Sequence, residues 1–495
     1  MLYFIIFRNV WKAETVFKEM RVLLLAMPDT AQFVDFFTRL PNLAIISLAG
    51  NLPEHEVRAL DLVLFKPHFQ TALRQALANL RPQVVGLSAM TFQFDSLLGV
   101  ARFIRDFDPT IKLVAGGYHV SLMARELTAD VEELPLDFLV RGEGETAFRE
   151  LVTELEKPAP DLGAIMGLSY RQGQEWVHNP QHPLLELDTL SLPRRQARLA
   201  NSFYFLDMPM EVAETSRGCP NNCKFCCIGQ VYGHTFRRFS VERIISDLKT
   251  IRDQGFKAVF FVDDNITYDI DHFRQVCQAI VQHQLNDLCY LTQVTASGIA
   301  HHPELVAEMD QANFRIAFVG FESMDPDALK GMKKPTNPEI NRRAAAMLRQ
   351  HRIAVIAGLI GGYPEDTRET VIRNWHMIED LKPDLIYSQY LTPYPKTPVR
   401  QELLEAGLVV NVDDYSKYDG FQCNIRTRHL SRDQLYHLMR GLGFKSNFKI
   451  SLIVNNRLLR NHMRYFLHCL GNVMAEGLYN LTRDLLPKFL QPKKY

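Results

Sequence analysis

The sequence has no excess of charge, no long apolar run and few cysteines. Lysine plus arginine and aspartate plus glutamate number 56 each, so the chain lacks the positive field with which general nucleic-acid binders collect phosphates. The longest apolar runs, Leu43–Gly50 and Ile353–Gly362, have the length of core strands and fall short of the ~18–20 residues of a membrane-spanning helix. We therefore expect a folded protein that neither spans a membrane nor binds nucleic acid.

The first residues, Met1–Phe7, are apolar, as in a signal peptide. Arg8 and Lys12 interrupt the run, and no small-residue cleavage site follows. We therefore expect a cytoplasmic protein. Met20 stands directly before the first strand-like segment, and residues 1–20 are interpreted as an N-terminal extension.

At 495 residues the chain is too long for one compact core, and its first part alternates strand-like with helix-like segments. The strand-like segments are Val22–Ala26, Val84–Ser88, Ile111–Ala115 and Phe138–Val140, and the helix-like segments are Phe69–Leu80, Ser96–Phe107, Ser121–Ala129 and Glu145–Glu156. This α/β pattern predicts a doubly wound, Rossmann-like domain over residues 21–157. The first strand is followed by Met27-Pro28-Asp29-Thr30 and not by G-x-G-x-x-G, which disfavours a nicotinamide dinucleotide.

The second part of the chain predicts a barrel. Residues 158–204 are interpreted as a linker with a hairpin over Met166–His178. Between residues 205 and 425, six strand-like segments alternate with helix-like stretches: Glu211–Ser216, Ala258–Val262, Tyr290–Val294, Ile316–Phe321, Ala354–Ile360 and Leu385–Leu391. Six such units predict a partial (β/α)6 barrel, in which active-site residues follow the carboxyl ends of the strands. Residues 426–495 predict a helical C-terminal tail that begins with Ser431–Lys449.

The eight cysteines are unevenly placed, because none precedes residue 219 and four lie within nine positions. Such clustering is typical of a metal site in a reducing compartment. Cys219, Cys223 and Cys226 have the spacing C-x3-C-x2-C, with Cys227 adjacent. Three thiolates can hold three corners of a cubane iron–sulfur cluster and leave one iron open. Zinc is the alternative, and it would need Cys227 or His234 as a fourth ligand.

The cysteine loop resembles that of the radical S-adenosylmethionine (radical SAM) superfamily, whose C-x3-C-x-aromatic-C motif it matches with Phe225 as the aromatic residue. The resemblance implies a [4Fe–4S] cluster on Cys219, Cys223 and Cys226. Its open iron would chelate S-adenosylmethionine and cleave it to a 5′-deoxyadenosyl radical. Cys227 would be a packed thiol outside the cluster.

The same resemblance implies that S-adenosylmethionine lies along the carboxyl ends of the barrel strands. The residues expected to bind it are Phe225, Asp263, Gln293, Ser297, Glu322 and Gly361. Asp263 and its neighbours would meet the methionyl amino group, and the glycines of Gly358–Pro364 would permit a close approach to adenine. Lys396 stands where a similar segment of the family usually carries glycine, which leaves the local turn open.

The first domain resembles the cobalamin-binding domain that precedes the barrel in one large class of radical SAM enzymes. The resemblance lies in three strand ends and implies cobalamin contacts from Ser88, Thr91, Gly116, Gly117, Gly142 and Glu143. Small residues there would let the tail of the corrin enter the sheet edge. The D-x-H-x-x-G motif is absent, so a bound corrin would lack a histidine ligand from that motif. His119 is expected to be a surface histidine.

Taken over the whole chain, the resemblance implies a cobalamin-dependent radical SAM enzyme that transfers a methyl group to an unactivated carbon. No residue is singled out as a catalytic acid or base. The alternatives are a radical SAM oxidative cyclase and a non-catalytic iron–sulfur or corrin sensor. The expected substrate is a lipid, a tetrapyrrole or a natural-product intermediate, with lipid ranked first.

Two kinds of partner are expected besides the small-molecule substrate. The cluster would need an electron donor such as flavodoxin or ferredoxin. In the tail segment Leu452–Phe489, arginines alternate with apolar residues, which predicts an amphipathic helix in peripheral contact with a membrane. A helix that caps the open barrel explains the same pattern and is the favoured interpretation of the two.

Overall fold

The computed structural model describes residues 20–30, 38–129 and 134–447. The strands of this part of the chain are β1 (Arg21–Ala26), β2 (Thr38–Arg39), β3 (Glu56–Asp61), β4 (Val84–Ser88), β5 (Lys112–Gly116), β6 (Phe138–Val140), β7 (Leu168–Gln172), β8 (Glu175–His178), β9 (Tyr204–Phe205), β10 (Met208–Ala213), β11 (Ser216–Arg217), β12 (Arg237–Arg238), β13 (Ala258–Phe261), β14 (Cys289–Val294), β15 (Phe314–Glu322), β16 (Ala354–Gly361) and β17 (Leu385–Tyr390). Its α-helices are α1 (Leu43–Gly50), α2 (Phe69–Leu80), α3 (Phe94–Phe107), α4 (Tyr118–Leu127), α5 (Gly144–Glu154), α6 (Ile228–Tyr232), α7 (Val241–Asp253), α8 (Ile270–Gln282), α9 (Ala296–Ala300), α10 (Pro303–Gln311), α11 (Pro326–Gly331), α12 (Pro338–Gln350), α13 (Arg368–Glu379), α14 (Pro398–Glu405) and α15 (Arg432–Asn447).

The first sheet has the strand order β3-β1-β4-β5-β6-β7-β8. Its first five strands are parallel, and Val22 of β1 lies opposite Val57 on one side and Val84 on the other. The side chains of β1 from Val22 to Leu25 are fully buried, as expected for a parallel strand covered by helices on both faces. From β1 the chain connects to β3 on one side, and the later strands β4 to β6 are added on the other side. The strand order therefore reverses between β1 and β4, and open α/β sheets commonly bind ligands at the carboxyl ends of the strands near such a point.

The hairpin predicted within the linker is present as β7 and β8. It pairs antiparallel with β6, where Phe138 lies opposite Tyr170. The hairpin therefore extends the first sheet and does not lie free between the two domains.

The second sheet confirms the partial barrel. Its order is β17-β16-β15-β14-β13-β10-β9-β2, and the six strands from β10 to β17 in this order are parallel. Buried apolar side chains from these strands and from the helices that cover them form one large core. β2 comes from the first part of the chain and pairs with β9, so the two domains share a sheet edge.

The arginine-bearing linker between the domains is fixed by buried ion pairs. Arg195 donates to both carboxylate oxygens of Asp247 on α7, at 2.5 and 3.0 Å, and to the carbonyl oxygen of Val212, at 2.9 Å. Arg198 pairs with Glu211 of β10. Because each buried charge has a partner and hydrogen bonds, the desolvation penalty is offset, and the end of the linker is held on the first barrel strand.

One apolar run that was expected to be a strand is a helix in the structure. Leu43–Gly50 has strand length, but it forms helix α1, which starts where the Asn42 side chain accepts a hydrogen bond from the Ile45 amide at 3.2 Å. A short continuous apolar run does not separate a buried helix from a buried strand, so only the cap could have indicated the helix. The edge strand β3 was not predicted either.

The described part of the tail is helical, as predicted. α15 packs on the barrel, where the Trp375 indole donates to Ser446 at 2.8 Å and the Ile386 amide donates to Asn447 at 3.0 Å. The segment Leu452–Phe489 and most of the N-terminal extension lie outside the described residues. No helix among the described residues combines the length and apolarity needed to cross a membrane.

Candidate active site

The cysteine loop runs from β11 to α6 and is tied to the barrel on both sides. Gly218 has φ +88°, and a Cβ there would lie 2.5 Å from the Thr235 carbonyl oxygen, so only glycine fits. The Gly218 amide donates to Asp264 at 2.9 Å. The Lys224 amide donates to the Met332 carbonyl at 3.0 Å. These contacts fix the path of the backbone that carries the thiols.

The three predicted cluster ligands are free, half-buried thiols. Burial raises the pKa of Cys223 to about 11 and that of Cys226 to about 12, so both thiols are protonated without metal and metal binding must release their protons. The Asn265 amide group lies 3.5 Å from the sulfur of Cys219. Cys227 caps α6 through its carbonyl oxygen, which accepts from Gln230 at 3.0 Å.

In the part of the chain that the structure describes, the thiols do not form a closed site for a single metal ion. Among the described residues, no three histidine, cysteine or acidic side chains converge as the ligands of a single metal ion must. With zinc–sulfur bonds of about 2.3 Å, the sulfurs would have to meet around one point. Three thiolates can instead hold three corners of a cubane, and the assignment of Cys219, Cys223 and Cys226 to a [4Fe–4S] cluster stays a prediction.

Glu322 and Phe225 are brought together by a lysine that the sequence analysis did not single out. Lys334 Nζ lies 2.8 Å from Glu322 Oε1 and 6.0 Å from the centre of the Phe225 ring. Burial works against its charged form, but Glu322 and the neighbouring thiols raise the pKa of Lys334. In sequence, nothing separates Lys334 from Lys330 or Lys333, and only the fold places it here.

Glu322 itself has an unusual backbone. It ends β15 with φ +62°, which non-glycine residues seldom adopt, and the register between β15 and β16 shifts at this point. Backbone strain of this kind concentrates at functional sites. Its contact with S-adenosylmethionine stays a prediction.

Asp263 and Asp264 differ in what they contact. The buried carboxylate of Asp263 accepts hydrogen bonds from the Thr215 amide and hydroxyl, at 3.1 and 2.6 Å, and from the Ser216 hydroxyl at 2.6 Å, so it holds the turn between β10 and β11. Asp264 faces the interdomain cleft, and burial raises its pKa to about 6. The predicted contact of Asp263 with S-adenosylmethionine stays a prediction, and Asp264 is a cleft residue that sequence reasoning missed.

The remaining predicted S-adenosylmethionine residues lie at strand ends. Gln293 and Ser297 are half-buried at the carboxyl end of β14 and in α9. Gly361 ends β16, and a Cβ there would lie 2.3 Å from the sulfur of Met439 on α15. The glycine thus makes room for the last described helix.

Lys396 shows how this chain departs from the family pattern. It has φ +62°, so it adopts the left-handed conformation that glycine favours. Its ammonium group forms an ion pair with Glu126 of α4. The turn is therefore kept, and the side chain adds a contact between the barrel and the first domain.

A cleft of about 290 Å³ lies between the first sheet and the elements β11 and α6 that flank the cysteine loop. Five of the six predicted cobalamin residues line it: Ser88, Gly116, Gly117, Gly142 and Glu143. Its barrel side includes Ser216, Arg217, Tyr232 and Asp264. Gly116 lines the cleft, and a Cβ there would meet one carbonyl oxygen at 3.5 Å, an ordinary contact distance. The cleft therefore lies at the carboxyl ends of β4, β5 and β6, and its contact with cobalamin stays a prediction.

His119 is wrongly predicted as a surface residue. It is fully buried, between Phe94 at 4.6 Å and Tyr415 at 5.1 Å, measured between ring centres. Its Nδ1 lies 3.4 Å from the hydroxyl of Thr91, which is also buried and is the sixth predicted cobalamin residue. Burial lowers the pKa of His119 to about 4, so the ring is neutral. The sequence could not show that the segment around Tyr415, almost 300 positions away, covers this helix.

Glu143 lines the cleft as part of an ion-pair network between the domains. Arg217 donates to Glu143 at 3.0 Å, to Glu145 at 2.8 Å and to Glu214 at 2.7 Å. Arg237 donates to Glu143 at 2.9 and 3.0 Å. Because Arg217 stands two residues before Cys219, the network joins α5 of the first domain to the start of the cysteine loop.

Gly117 offers a test of the cleft. It has φ +97°, and a Cβ would lie 2.5 Å from the Ala89 carbonyl oxygen. We expect Gly117→Ala to reduce the free energy of unfolding by about 1–3 kcal/mol and to weaken corrin uptake in equilibrium dialysis. Gly99→Ala, on exposed surface of α3 with nothing within 4 Å, should instead stabilise by about 0.5–1 kcal/mol. Unchanged corrin uptake in Gly117→Ala would contradict the assigned cleft.

Comparison with family models identifies both domains. Residues 213–374 match the Radical SAM superfamily, and residues 33–152 match the B12 binding domain. The first match includes barrel strands β13 to β16, and the second includes strands β3 to β6 of the first sheet.

Relatives align along most of the chain. An uncharacterized methyltransferase of Pyrococcus horikoshii is 28% identical and covers 86% of this chain and 91% of the relative. An anaerobic magnesium-protoporphyrin IX monomethyl ester cyclase of Cereibacter sphaeroides is 25% identical, and the alignment covers 83% of this chain and 68% of the cyclase. A hopanoid C-3 methylase of Methylococcus capsulatus is 27% identical, and the alignment covers 75% of this chain and 70% of the methylase.

A solved structure shares the two-domain fold. The radical S-adenosylmethionine methyltransferase TsrM of Kitasatospora setae, with tryptophan and a SAM analogue bound, superposes with a TM-score of 0.67 at 21% identity, over 79% of this chain and 77% of that chain. With both domain matches and the cleft between them, the chain belongs to the cobalamin-dependent radical SAM enzymes.

Proposed function

We propose that the protein methylates an unactivated carbon of a small-molecule substrate, with Cys219, Cys223 and Cys226 as ligands of a [4Fe–4S] cluster. One observation carries the proposal: the cleft lined by the predicted cobalamin residues is bounded on its barrel side by Arg217 and Asp264, which lie next to the cluster loop. Asp264 lines the cleft and accepts a hydrogen bond from Gly218, the residue before Cys219. When bound, the cluster would supply the electron that cleaves S-adenosylmethionine to the 5′-deoxyadenosyl radical, which removes a hydrogen atom from the substrate, and cobalamin would supply the methyl group.

The residues proposed to hold the two cofactors lie in different domains. Cobalamin would contact the small strand-end residues of β4, β5 and β6, with Thr91 and His119 beneath them. S-adenosylmethionine would lie on the barrel side. The residues proposed for it are Phe225, Asp263, Gln293, Ser297, Glu322 and Gly361. The task of the chain is to hold two cofactors and a substrate in line and to exclude water.

An oxidative cyclase is the second candidate, and its support is the similarity to the cyclase of Cereibacter sphaeroides. The relatives are named for a hopanoid and for a magnesium-protoporphyrin ester, so we propose a lipid or tetrapyrrole substrate, with lipid first. Flavodoxin or ferredoxin is the proposed electron donor, and the segment Leu452–Phe489 the proposed membrane contact.

Product analysis tests the proposal. The full chain, reconstituted without oxygen with iron, sulfide and cobalamin, would be incubated with extract lipids and with S-adenosylmethionine that carries a deuterated methyl group. We expect a product heavier by one labelled methyl group in place of hydrogen, together with 5′-deoxyadenosine. A product that lost hydrogen and gained no label would support the cyclase. No cleavage of S-adenosylmethionine under strong reductant would support a non-catalytic sensor.

A further inference from the structure

We infer that Lys334 acts through the cluster, and that its buried ammonium group raises the reduction potential of the iron–sulfur centre. Lys334 would not touch the reacting atoms. It would act by keeping its own positive charge beside the cluster loop. The inference rests on the proposed assignment of the cluster to Cys219, Cys223 and Cys226.

The position of Lys334 is determined by contacts from two sides. Its side chain is 13% exposed, and its ion-pair partner Glu322 is equally buried. Its ammonium group faces the ring of Phe225, which lies between two of the cysteines in sequence. The loop that carries it is joined to the cysteine loop by the hydrogen bond from the Lys224 amide to Met332. The charge is therefore fixed beside the cluster loop and is not free to move into solvent.

The backbone makes room for this ion pair. A Cβ on Gly320 would lie 2.5 Å from Glu322 Oε1 and 3.0 Å from Lys334 Nζ. The left-handed conformation of Glu322 and the register shift beside it turn its carboxylate toward the lysine. The strained backbone at Glu322 is consistent with a functional role for the ion pair, because such strain often occurs at functional sites.

The physical consequence follows from charge. A cubane held by three thiolates is anionic, and reduction adds one further negative charge. Cluster potentials depend on net charge and solvent exposure, and charges interact more strongly in a buried environment than in water. A fixed cation therefore stabilises the reduced state more than the oxidised state. Glu322 opposes this effect and sets its size.

Two substitutions separate a charge effect from a structural effect. Lys334→Met and Glu322→Gln break the same ion pair, but they change the local charge in opposite directions. The full chain would be reconstituted with iron and sulfide, without cobalamin or S-adenosylmethionine, and its midpoint potential measured by redox titration followed by electron paramagnetic resonance. We expect Lys334→Met to lower the potential by at least about 59 mV, a tenfold change in the one-electron equilibrium. We expect Glu322→Gln to raise it.

Conservative and distant variants complete the experiment. Lys334→Arg keeps the charge and should retain the potential of the unsubstituted protein, and Lys330→Met, on exposed surface of α11, should also leave it unchanged. Equal potentials in all variants, or shifts of Lys334→Met and Glu322→Gln in the same direction, would overturn the role of Lys334. If Lys334→Met binds no cluster, Glu322→Gln and Lys334→Arg still decide. Failure of the unsubstituted protein to assemble a cluster would overturn the ligand assignment instead.

Discussion

Replacing Cys219, Cys223 and Cys226 together with alanine should leave a folded protein that binds no cluster and cleaves no S-adenosylmethionine. Each thiol holds one corner of the cubane, and the open iron exists only if the other three irons are held. The loop should keep its shape, because Gly218 and Lys224 fix it through backbone hydrogen bonds. Iron content, visible absorbance and 5′-deoxyadenosine formation measure the loss.

Cys227→Ala is the matched control, since it removes an adjacent, equally buried thiol. Its carbonyl oxygen, which caps α6, is retained. We expect a full complement of iron in this variant. A cluster retained in the triple variant would refute the ligand assignment, and cluster loss in Cys227→Ala would place this thiol among the ligands.

The fold was predictable from the sequence wherever hydrophobic periodicity was strong. The helix predicted over Phe69–Leu80 and the strands over Val84–Ser88 and Phe138–Val140 have the same bounds in the structure. The strand expected at Leu43–Gly50 was wrong, because a short apolar run is compatible with either a buried strand or a buried helix. The edge strand Glu56–Asp61 was missed because its charged residues weaken the apolar pattern.

The site was predictable only where its residues are close in sequence. The C-x3-C-x2-C spacing and the small strand-end residues around Gly116 are local signals, and the structure places the latter along one cleft. Lys334, Arg217 and the cover over His119 depend on contacts between distant segments. No local pattern could indicate them, because charge and burial at such positions are decided by how segments far apart in the sequence pack together.

The Arg217 network is one such feature, and Arg217→Met should be strongly destabilising. The side chain of Arg217 is 10% exposed, and those of Glu143 and Glu145 are 5% and 7% exposed. Removing the guanidinium leaves Glu145 and Glu214 without their ion-pair partner, while Glu143 keeps Arg237, and breaking a buried pair in this way costs about 3–5 kcal/mol. We therefore expect a lower free energy of unfolding in urea. Weaker corrin uptake should accompany it, because Glu143 and Arg217 form part of the cleft wall.

Two further variants identify the cause of the loss. Arg149 lies on helix α5, as Glu145 does, and Arg149→Met removes its exposed ion pair with Glu54. Exposed pairs contribute only about 0–1 kcal/mol. Adding Glu145→Gln to Arg217→Met removes one unpaired charge, so the double variant should be more stable than Arg217→Met alone. If Arg217→Met unfolds at the same urea concentration as Arg149→Met, the network does not hold the domains together. If the double variant is the less stable of the two, the cost comes from lost packing and not from an uncompensated charge.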